Sequence, residues 1–272
     1  MNYREYPVPD SLHDFIKCFW SLEGPMPEKP ERQRIVSDGC PELIIHYGDL
    51  YTQYQPDGTP IMQPRSFVFG QITTTLEIAP TGITGIAAAR FFPDGFIPFS
   101  GFPIKQMENR AVPLELLFSG DTLQLELAVL HAKQNEERIL ILSKFLSNKL
   151  KENDTIDRVI KMSIGTLVQS NGLINIDDLS DKIQINRRKL ERKFSSAIGL
   201  SPKQLSKVIR LQKTLKMLNQ NGTGSLTDLA YENGYFDQAH FIKDFKEFTG
   251  VSPKAFYSEN LKMNSFFIGS DL

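Results

Sequence analysis

The chain has 272 residues, 40% apolar and 23% charged, with a formal net charge of −1, a composition ordinary for a globular protein with room for two domains. No apolar run approaches the roughly 18 to 20 residues that span a bilayer, and the start Met-Asn-Tyr-Arg-Glu-Tyr lacks the basic-then-apolar order of a secretion signal. Cys18 and Cys40 are too few for a disulfide framework or a four-thiolate metal site. A cytoplasmic protein is expected, with both cysteines serving as small buried hydrophobes.

The first 120 residues read as short strands broken by turns. Phe19–Leu22, Leu43–Tyr47, Ser66–Phe69 and Ile83–Phe92 are rich in aromatic and β-branched residues. Gly24-Pro25, Asp38-Gly39, Pro56-Asp57-Gly58 and Thr81-Gly82 supply turn chemistry between them. This spacing predicts a small barrel or sandwich, with one short helix over Leu12–Cys18. From residue 121 to 153 the apolar period becomes helical. Leu123, Leu125, Leu127 and Leu130 form one stripe, and Ile139, Leu142, Phe145, Leu146 and Leu150 a second, broken near Lys133–Asn135. Two helices there have three ways to bury their stripes: on the barrel, on each other, or on a second subunit.

Beyond residue 153 the pattern is helical throughout: Thr155–Gln169, Asp177–Lys182, Asn186–Ala197, Pro202–Asn219, Ser225–Glu232, Asp237–Phe248 and Pro253–Lys262. Asn186, Ser201, Asp237 and Ser252 are good N-cap residues at the expected starts. Residues 154–262 hold 17 Lys/Arg against 12 Asp/Glu, while residues 1–153 hold 14 against 19. A basic segment joined to an acidic one is the pattern of a nucleic-acid-binding module attached to something else. The fold expected is α+β overall: a mainly β domain over 1–120, a helical linker or dimerisation segment over 121–153, an all-α domain over 154–262, and a tail over 263–272.

Within the all-α domain a single phrase occurs twice. Phe194-Ser-Ser-Ala-Ile-Gly199-Leu-Ser-Pro202-Lys203 returns 51 residues later as Phe245-Lys-Glu-Phe-Thr-Gly250-Val-Ser-Pro253-Lys254. In each copy Gly closes one helix and Ser-Pro opens the next, because Gly tolerates the left-handed conformation at a helix end and Pro fits a first turn. The duplication predicts two helix-turn-helix units in tandem. In such a unit the first helix braces the second, whose N-terminal residues enter the major groove of DNA.

The recognition helix of the first unit runs from Asn186 to Phe194. Leu190 and Phe194 form its buried stripe, and Arg187, Arg188, Glu191 and Arg192 lie on the opposing face. Arg pairs bidentately with guanine, and Glu accepts from cytosine N4. In the second, Phe241 and Phe245 are buried, with Gln238, His240 and Lys243 outward; Gln suits adenine, and Lys243 suits guanine or phosphate. The helix between them, at about 1.5 Å per residue, is about 27 Å long. That is a strut able to hold two recognition helices near the roughly 34 Å pitch of a duplex. Lys203, Lys207, Arg210, Lys213 and Lys216 along it are candidate phosphate contacts.

Residues 155–260 resemble the DNA-binding domain of the AraC/XylS transcription regulators. The second copy carries the stronger likeness, at Leu229-Ala230, Gly234-Tyr235-Phe236-Asp237-Gln238-Ala239-His240-Phe241, Phe245-Lys246, Gly250, Ser252-Pro253 and Phe256. The first matches at Leu179, Leu190, Phe194, Gly199, Ser201-Pro202, Arg210 and Leu211. The resemblance implies base-reading positions at Arg188, Glu191 and Arg192, and at Gln238, Ala239, His240 and Lys243. It implies double-stranded DNA and RNA polymerase as partners. The sequence departs from the family pattern at Ser180, where a small Ala is usual, at Gln184, where the turn often carries Gly, and at Ala239, where Ser is common.

Ser37-Asp38-Gly39-Cys40-Pro41-Glu42-Leu43-Ile44 and Arg90-Phe91-Phe92-Pro93-Asp94-Gly95 resemble segments in a poorly characterised branch of the same family. That likeness implies an N-terminal domain on a cupin-like barrel that senses a small effector or forms a homodimer. Trp20, Glu42, Arg90 and Phe92 are the effector candidates. Arg90 with Phe91, Phe92 and Phe96 either lines a pocket for an anionic or aromatic ligand, or pairs with a carboxylate while the phenylalanines are core.

Enzymatic readings find little to stand on. His13, His46, His131 and His240 are scattered without metal-ligand spacing, and neither a Gly-rich phosphate loop nor a nucleophile beside a base is present, so no cofactor, metal or catalytic residue is expected. DNA-repair methyltransferases carry a similar DNA-binding half behind a Cys-rich zinc domain, but that chemistry needs a cysteine cluster which two cysteines 22 residues apart do not supply. A DNA-binding, dimerising protein that takes no ligand is the other alternative.

Overall fold

Buried side chains run without a break from Cys18 to Leu22 in the strand Ile16–Gly24, on which the β-rich region is built. The protein is described here from a computed structural model, over residues 1–29, 31–150, 156–221, 234–235 and 237–258. In chain order the strands are β1 (Asn2–Tyr6), β2 (Ile16–Gly24), β3 (Gln33–Ile35), β4 (Glu42–His46), β5 (Tyr51–Tyr54), β6 (Pro60–Met62), β7 (Ser66–Phe69), β8 (Leu76–Pro80), β9 (Thr84–Phe91) and β10 (Ala111–Pro113). Two compact units result. The first comprises Met1–Arg32, Cys40–Gln71 and Glu77–Ile156; the second comprises Gln33–Gly39, Ile72–Leu76 and Asp157–Leu272.

In the first unit the larger sheet is antiparallel, in the order β1-β2-β9-β4-β7-β10. The register puts Trp20 opposite Ala88 and Glu42 opposite Arg90. In a second sheet β5 pairs with both β6 and β8. Side chains alternate across a strand, so Phe19, Leu43, Ile45, Val68, Ala87, Ala89 and Phe91 share one face and one core. Three helices follow: α1 (Leu114–Leu117), α2 (Thr122–His131) and α3 (Asn135–Lys149). α3 packs on β9 and β2, where Ala87 and Ala89 keep the sheet surface low. Leu125, Val129, Ile139, Leu142, Phe145 and Leu146 are the apolar residues α2 and α3 bury in this core, each worth about 1.5 to 3 kcal/mol of apolar transfer. The expected stripe of α2 is only partly buried, since Leu123 and Leu127 are exposed.

The helix expected over Leu12–Cys18 does not form. A short 3-10 turn spans Asp10–Leu12, and Ile16 already begins β2. Leu12 and Ile16 have helical spacing and are both buried in the same core, but they reach it from a turn and from a strand. Pairing with β1 on one edge and β9 on the other gives Ile16–Gly24 more hydrogen bonds than a lone helical turn offers.

The helices of the second unit are α4 (Arg158–Gln169), α5 (Ile176–Ile183), α6 (Arg187–Ala197), α7 (Pro202–Asn221), α8 (Gln238–Thr249) and α9 (Pro253–Ser258). The repeated phrase does what its residues dictate. Gly199 (φ 82°) and Gly250 (φ 75°) both take the left-handed conformation, and Pro202 and Pro253 open the next helices. The helix expected over Ser225–Glu232, Phe236, the last residues of the helix expected to reach Lys262, and the tail lie outside the described residues. The chain is thus α+β overall, with antiparallel sheets first and helices after.

Candidate nucleic-acid interface

Local chemistry fixes where each recognition helix begins. Asn186 caps α6 by accepting from the Arg188 amide at 3.0 Å, and Asp237 caps α8 by accepting from the His240 amide at 2.7 Å. Such caps satisfy amides that a first turn leaves orphaned, each worth about 1 kcal/mol. α5 is capped by Asn175, which accepts from the Asp178 amide at 2.8 Å. It ends at Gln184, whose left-handed backbone (φ 56°, ψ 44°) makes the turn into α6. The Gly usual at this position carries no Cβ to strain there.

Apolar anchoring then sets which face of each helix is outward. Leu190 and Phe194 are buried under α6, and Phe241, Phe245 and Phe248 under α8. The rings of Phe241, Phe245, Phe256 and Tyr235 meet edge to face at 5.3 to 5.6 Å, an arrangement that fixes the rotation of α8. On α6, Arg188 and Arg192 are consequently exposed and Glu191 half-buried. On α8, Ala239, His240 and Lys243 are exposed, with Gln238 half-buried beside them. Arg188, Arg192 and Lys243 make no side-chain hydrogen bond or ion pair among the described residues and are free to bind an anion. Arg187 is engaged differently: it donates to Asp177 at 2.9 and 3.2 Å and to Glu191 at 3.1 Å. An exposed pair of this kind contributes little to stability, but it does occupy the guanidinium.

α7 begins with a capping box. The Gln204 amide donates to Ser201 Oγ at 3.2 Å, and the Ser201 amide to Gln204 Oε1 at 2.8 Å. Its 20 residues make a rod about 30 Å long. Of the cations expected to line it for phosphates, Lys207 and Arg210 face inward. Both reach Asp244 of α8, which is 5% exposed: Lys207 Nζ lies 3.1 Å from Oδ1, and Arg210 Nη2 3.5 Å from Oδ2. Lys207 also meets Glu247 at 2.8 Å. Burial works against its ammonium, and hydrogen bonds to Glu247 and Asp244 outweigh this and raise its pKa. Arg210 lies over the Tyr235 ring at 5.1 Å, and the His240 ring meets Tyr235 edge-on at 5.4 Å. This network locks strut to recognition helix. Sequence reading missed it, because Lys and Arg on a long helix look alike whether they face water or a buried carboxylate.

Residues 179–259 match a family model described as a helix-turn-helix domain, and residues 4–113 match one described as a domain of unknown function (DUF6597). The transcriptional regulator MtrA of Neisseria gonorrhoeae is 28% identical over 239 residues, covering 81% of this chain and 75% of its own. The transcriptional activator RhaS of Escherichia coli is 31% identical over 81 residues, covering 30% of this chain and 29% of its own. Among solved structures, ToxT from Vibrio cholerae aligns with a TM-score of 0.48 at 15% identity, over 88% of this chain and 98% of its own. This chain is an AraC-type helix-turn-helix transcription regulator.

The effector candidates of the regulator lie in its first unit. Trp20, Glu42 and Arg90 share the sheet face opposite the helices, by strand alternation from the Trp20–Ala88 and Glu42–Arg90 pairings. Arg90 is 2% exposed and its Nε donates to Glu42 Oε1 at 2.6 Å. Phe91 and Phe96 pack against each other at 5.2 Å in the core on the other face, so they do not flank the guanidinium. Phe92 is half-buried just past β9, its amide donating to the Phe15 carbonyl at 2.9 Å. An open groove of about 650 Å³ is lined by Met1, Glu23, Tyr47, Ile83 and Thr84 among others. It lies at the start of β9, six residues and about 20 Å along the strand from Arg90. Cys18 and Cys40 are both buried, and burial raises the Cys18 thiol to about 12, as expected of a packing residue. Among the described residues, no group of His, Cys, Asp and Glu is placed to hold a metal ion, and no helix is long and apolar enough to cross a membrane.

Proposed function

We propose that the regulator reads double-stranded DNA with α6 and α8 in successive major grooves. Arg188, Glu191 and Arg192 contact one short block of bases, and Gln238, Ala239, His240 and Lys243 the second, with Arg187 bracing the first helix at its start. The observation that carries this is the matched geometry of the two recognition helices. Each recognition helix is capped by a side chain, anchored by buried aromatic or leucine side chains, and left with uncommitted cations outward at its first turns. Capture on phosphates precedes base readout, because the electrostatic attraction is independent of sequence and long in range. The DNA-binding portion is residues 154–262, and residues 121–153 join it to the domain over 1–120. That domain takes a small effector near Trp20, Glu42, Arg90 and Phe92, or carries a homodimer contact. RNA polymerase is the partner through which bound DNA becomes a transcriptional output, and the protein acts in the cytoplasm without catalysis of its own.

A binding selection from random duplexes at stated salt tests the reading. Enrichment of two short blocks about one helical turn apart supports it, and a doubled motif adds the dimer. Recovery of unenriched DNA by full-length protein across an effector library overturns it.

A further inference from the structure

Seven residues from the N-terminal half of the sequence, Gln33–Gly39, belong to the same compact unit as the DNA-binding helices. Val36 is 4% exposed and sits in one apolar cluster with Val208, Leu211 and Leu215 of α7 and Phe241 and Phe245 of α8. The next residue, Ser37, is buried and its carbonyl accepts from Gln212 Nε2 at 2.8 Å. At Gly39 the backbone (φ 79°) runs so close to α7 that a Cβ would stand 3.1 Å from Leu205 Cδ1. Three successive kinds of contact, an apolar anchor, a buried hydrogen bond and a close backbone approach, hold this strap to the strut. Just beyond it, Cys40 and Pro41 lead into β4, whose first residue Glu42 holds Arg90.

We propose that the strap 33–39 is a working element of the DNA-binding unit, through which the N-terminal half sets the affinity for DNA. When the strap is seated, Val36 completes the core behind the second recognition helix and Ser37 satisfies the Gln212 amide. When it is drawn away, the cluster around Phe241 and Phe245 opens to water and α8 loses its fixed rotation. Any event that shifts β4 pulls on a strap only two residues away in the chain. The functional arm of this proposal rests on DNA binding by α6 and α8; the structural arm does not.

Amide hydrogen exchange on the full-length chain tests it, comparing wild type with Val36→Asp and, as a control in the first core, Val68→Ala. Val36→Asp is expected to speed exchange about tenfold or more in 202–217 and 238–249 while leaving 42–46 and 84–91 unchanged. Its affinity for the duplex enriched in the selection above should fall about tenfold, against a smaller loss on random duplex of equal length. Val68→Ala should give the reverse exchange pattern. If Val36→Asp does not accumulate folded, Val36→Ala gives the same pattern at about threefold. Unchanged exchange in 202–217 and 238–249 overturns the proposal. Accelerated exchange with unaltered DNA affinity overturns its functional arm. A wild type that enriches no duplex, together with the accelerated exchange, overturns the DNA reading and leaves the strap standing.

Discussion

Replacing Asp244 by Ala tests whether the charge network behind α8 is structural. Asp244 is 5% exposed, and its two cationic partners, Lys207 and Arg210, are 18% and 16% exposed. Removing one partner of a buried pair leaves uncompensated charge and costs about 3 to 5 kcal/mol. Here Lys207 retains Glu247 at 2.8 Å and Arg210 retains the Tyr235 face at 5.1 Å, which places the loss at the lower end, about 3 kcal/mol. At a urea dependence near 2 kcal/mol per M, the helical transition followed by circular dichroism moves down by about 1.5 M. Trp20, the single tryptophan, lies in the first unit, so its fluorescence serves as an internal control. A double-mutant cycle with Lys207→Ala should return a coupling of about 1 to 2 kcal/mol, because the two side chains touch. A loss under about 0.5 kcal/mol, or strict additivity with Lys207→Ala, refutes the reasoning and returns Lys207 to the set of phosphate contacts.

Five other substitutions separate local strain, DNA contact and burial. Gln184→Gly relieves a left-handed Cβ at the turn before α6 and should raise stability by about 0.5 to 1 kcal/mol in urea unfolding, without changing DNA affinity. Arg188→Ala and Arg192→Ala should each weaken binding to the selected duplex by about 1 to 3 kcal/mol at unchanged stability. Arg187→Ala, whose guanidinium is already held by Asp177 and Glu191, should lose less affinity than either in the same titration. His46 is held neutral by burial, which lowers its pKa to about 4. The unfolded chain protonates near 6.5 and the native one does not, so stability falls as pH drops from about 6.5 to 4, by about 3 kcal/mol in all. His46→Asn should flatten that slope in unfolding monitored at Trp20, and an unchanged slope would assign it to other groups.

Features governed by neighbours in sequence were legible. Gly199 and Gly250 at the helix ends, Asn186 and Asp237 at the helix starts, and the buried spacing of Leu190–Phe194 and Phe241–Phe245 all follow from rules acting within one or two turns. Gln184 was legible too, as a departure from Gly whose cause is the positive φ it adopts. Features set by distant residues were not. The strand at Phe19–Leu22 was legible, but its start at Ile16–Cys18 was hidden because Leu12 and Ile16 imitate helical spacing, and only β9, some 70 residues away, decides between strand and helix there. Lys207 and Arg210 carry no local mark of the carboxylate more than 30 residues on that turns them inward. Val36 lies just before the Asp38-Gly39 turn with no local mark of a core position, and its burial depends on α7 and α8. Arg90 was read in two ways, and the register that puts Glu42 opposite it decides how that side chain is engaged.

The same distinction governs what the charge of the DNA-binding segment means. Its excess of Lys/Arg over Asp/Glu between residues 154 and 262 is five, a modest figure that understates the polarity of the interface. Lys207 and Arg210 are spent inward on Asp244, and Lys193 is tied to Asp157 at the start of α4. Asp177 and Glu191 are in turn occupied by Arg187. Internal pairing thus cancels acidic and basic groups together, behind α8 at Asp244 and on the exposed side of α6 at Arg187. What remains exposed at the starts of α6 and α8 is Arg188, Lys189, Arg192 and Lys243, set over helix N-termini whose dipoles also favour an anion. On the proposed reading of DNA by α6 and α8, the buried pairs that do not touch DNA contribute to recognition indirectly, by fixing the rotation of α8 and by leaving the uncommitted cations concentrated where a phosphate backbone and a groove floor would meet them.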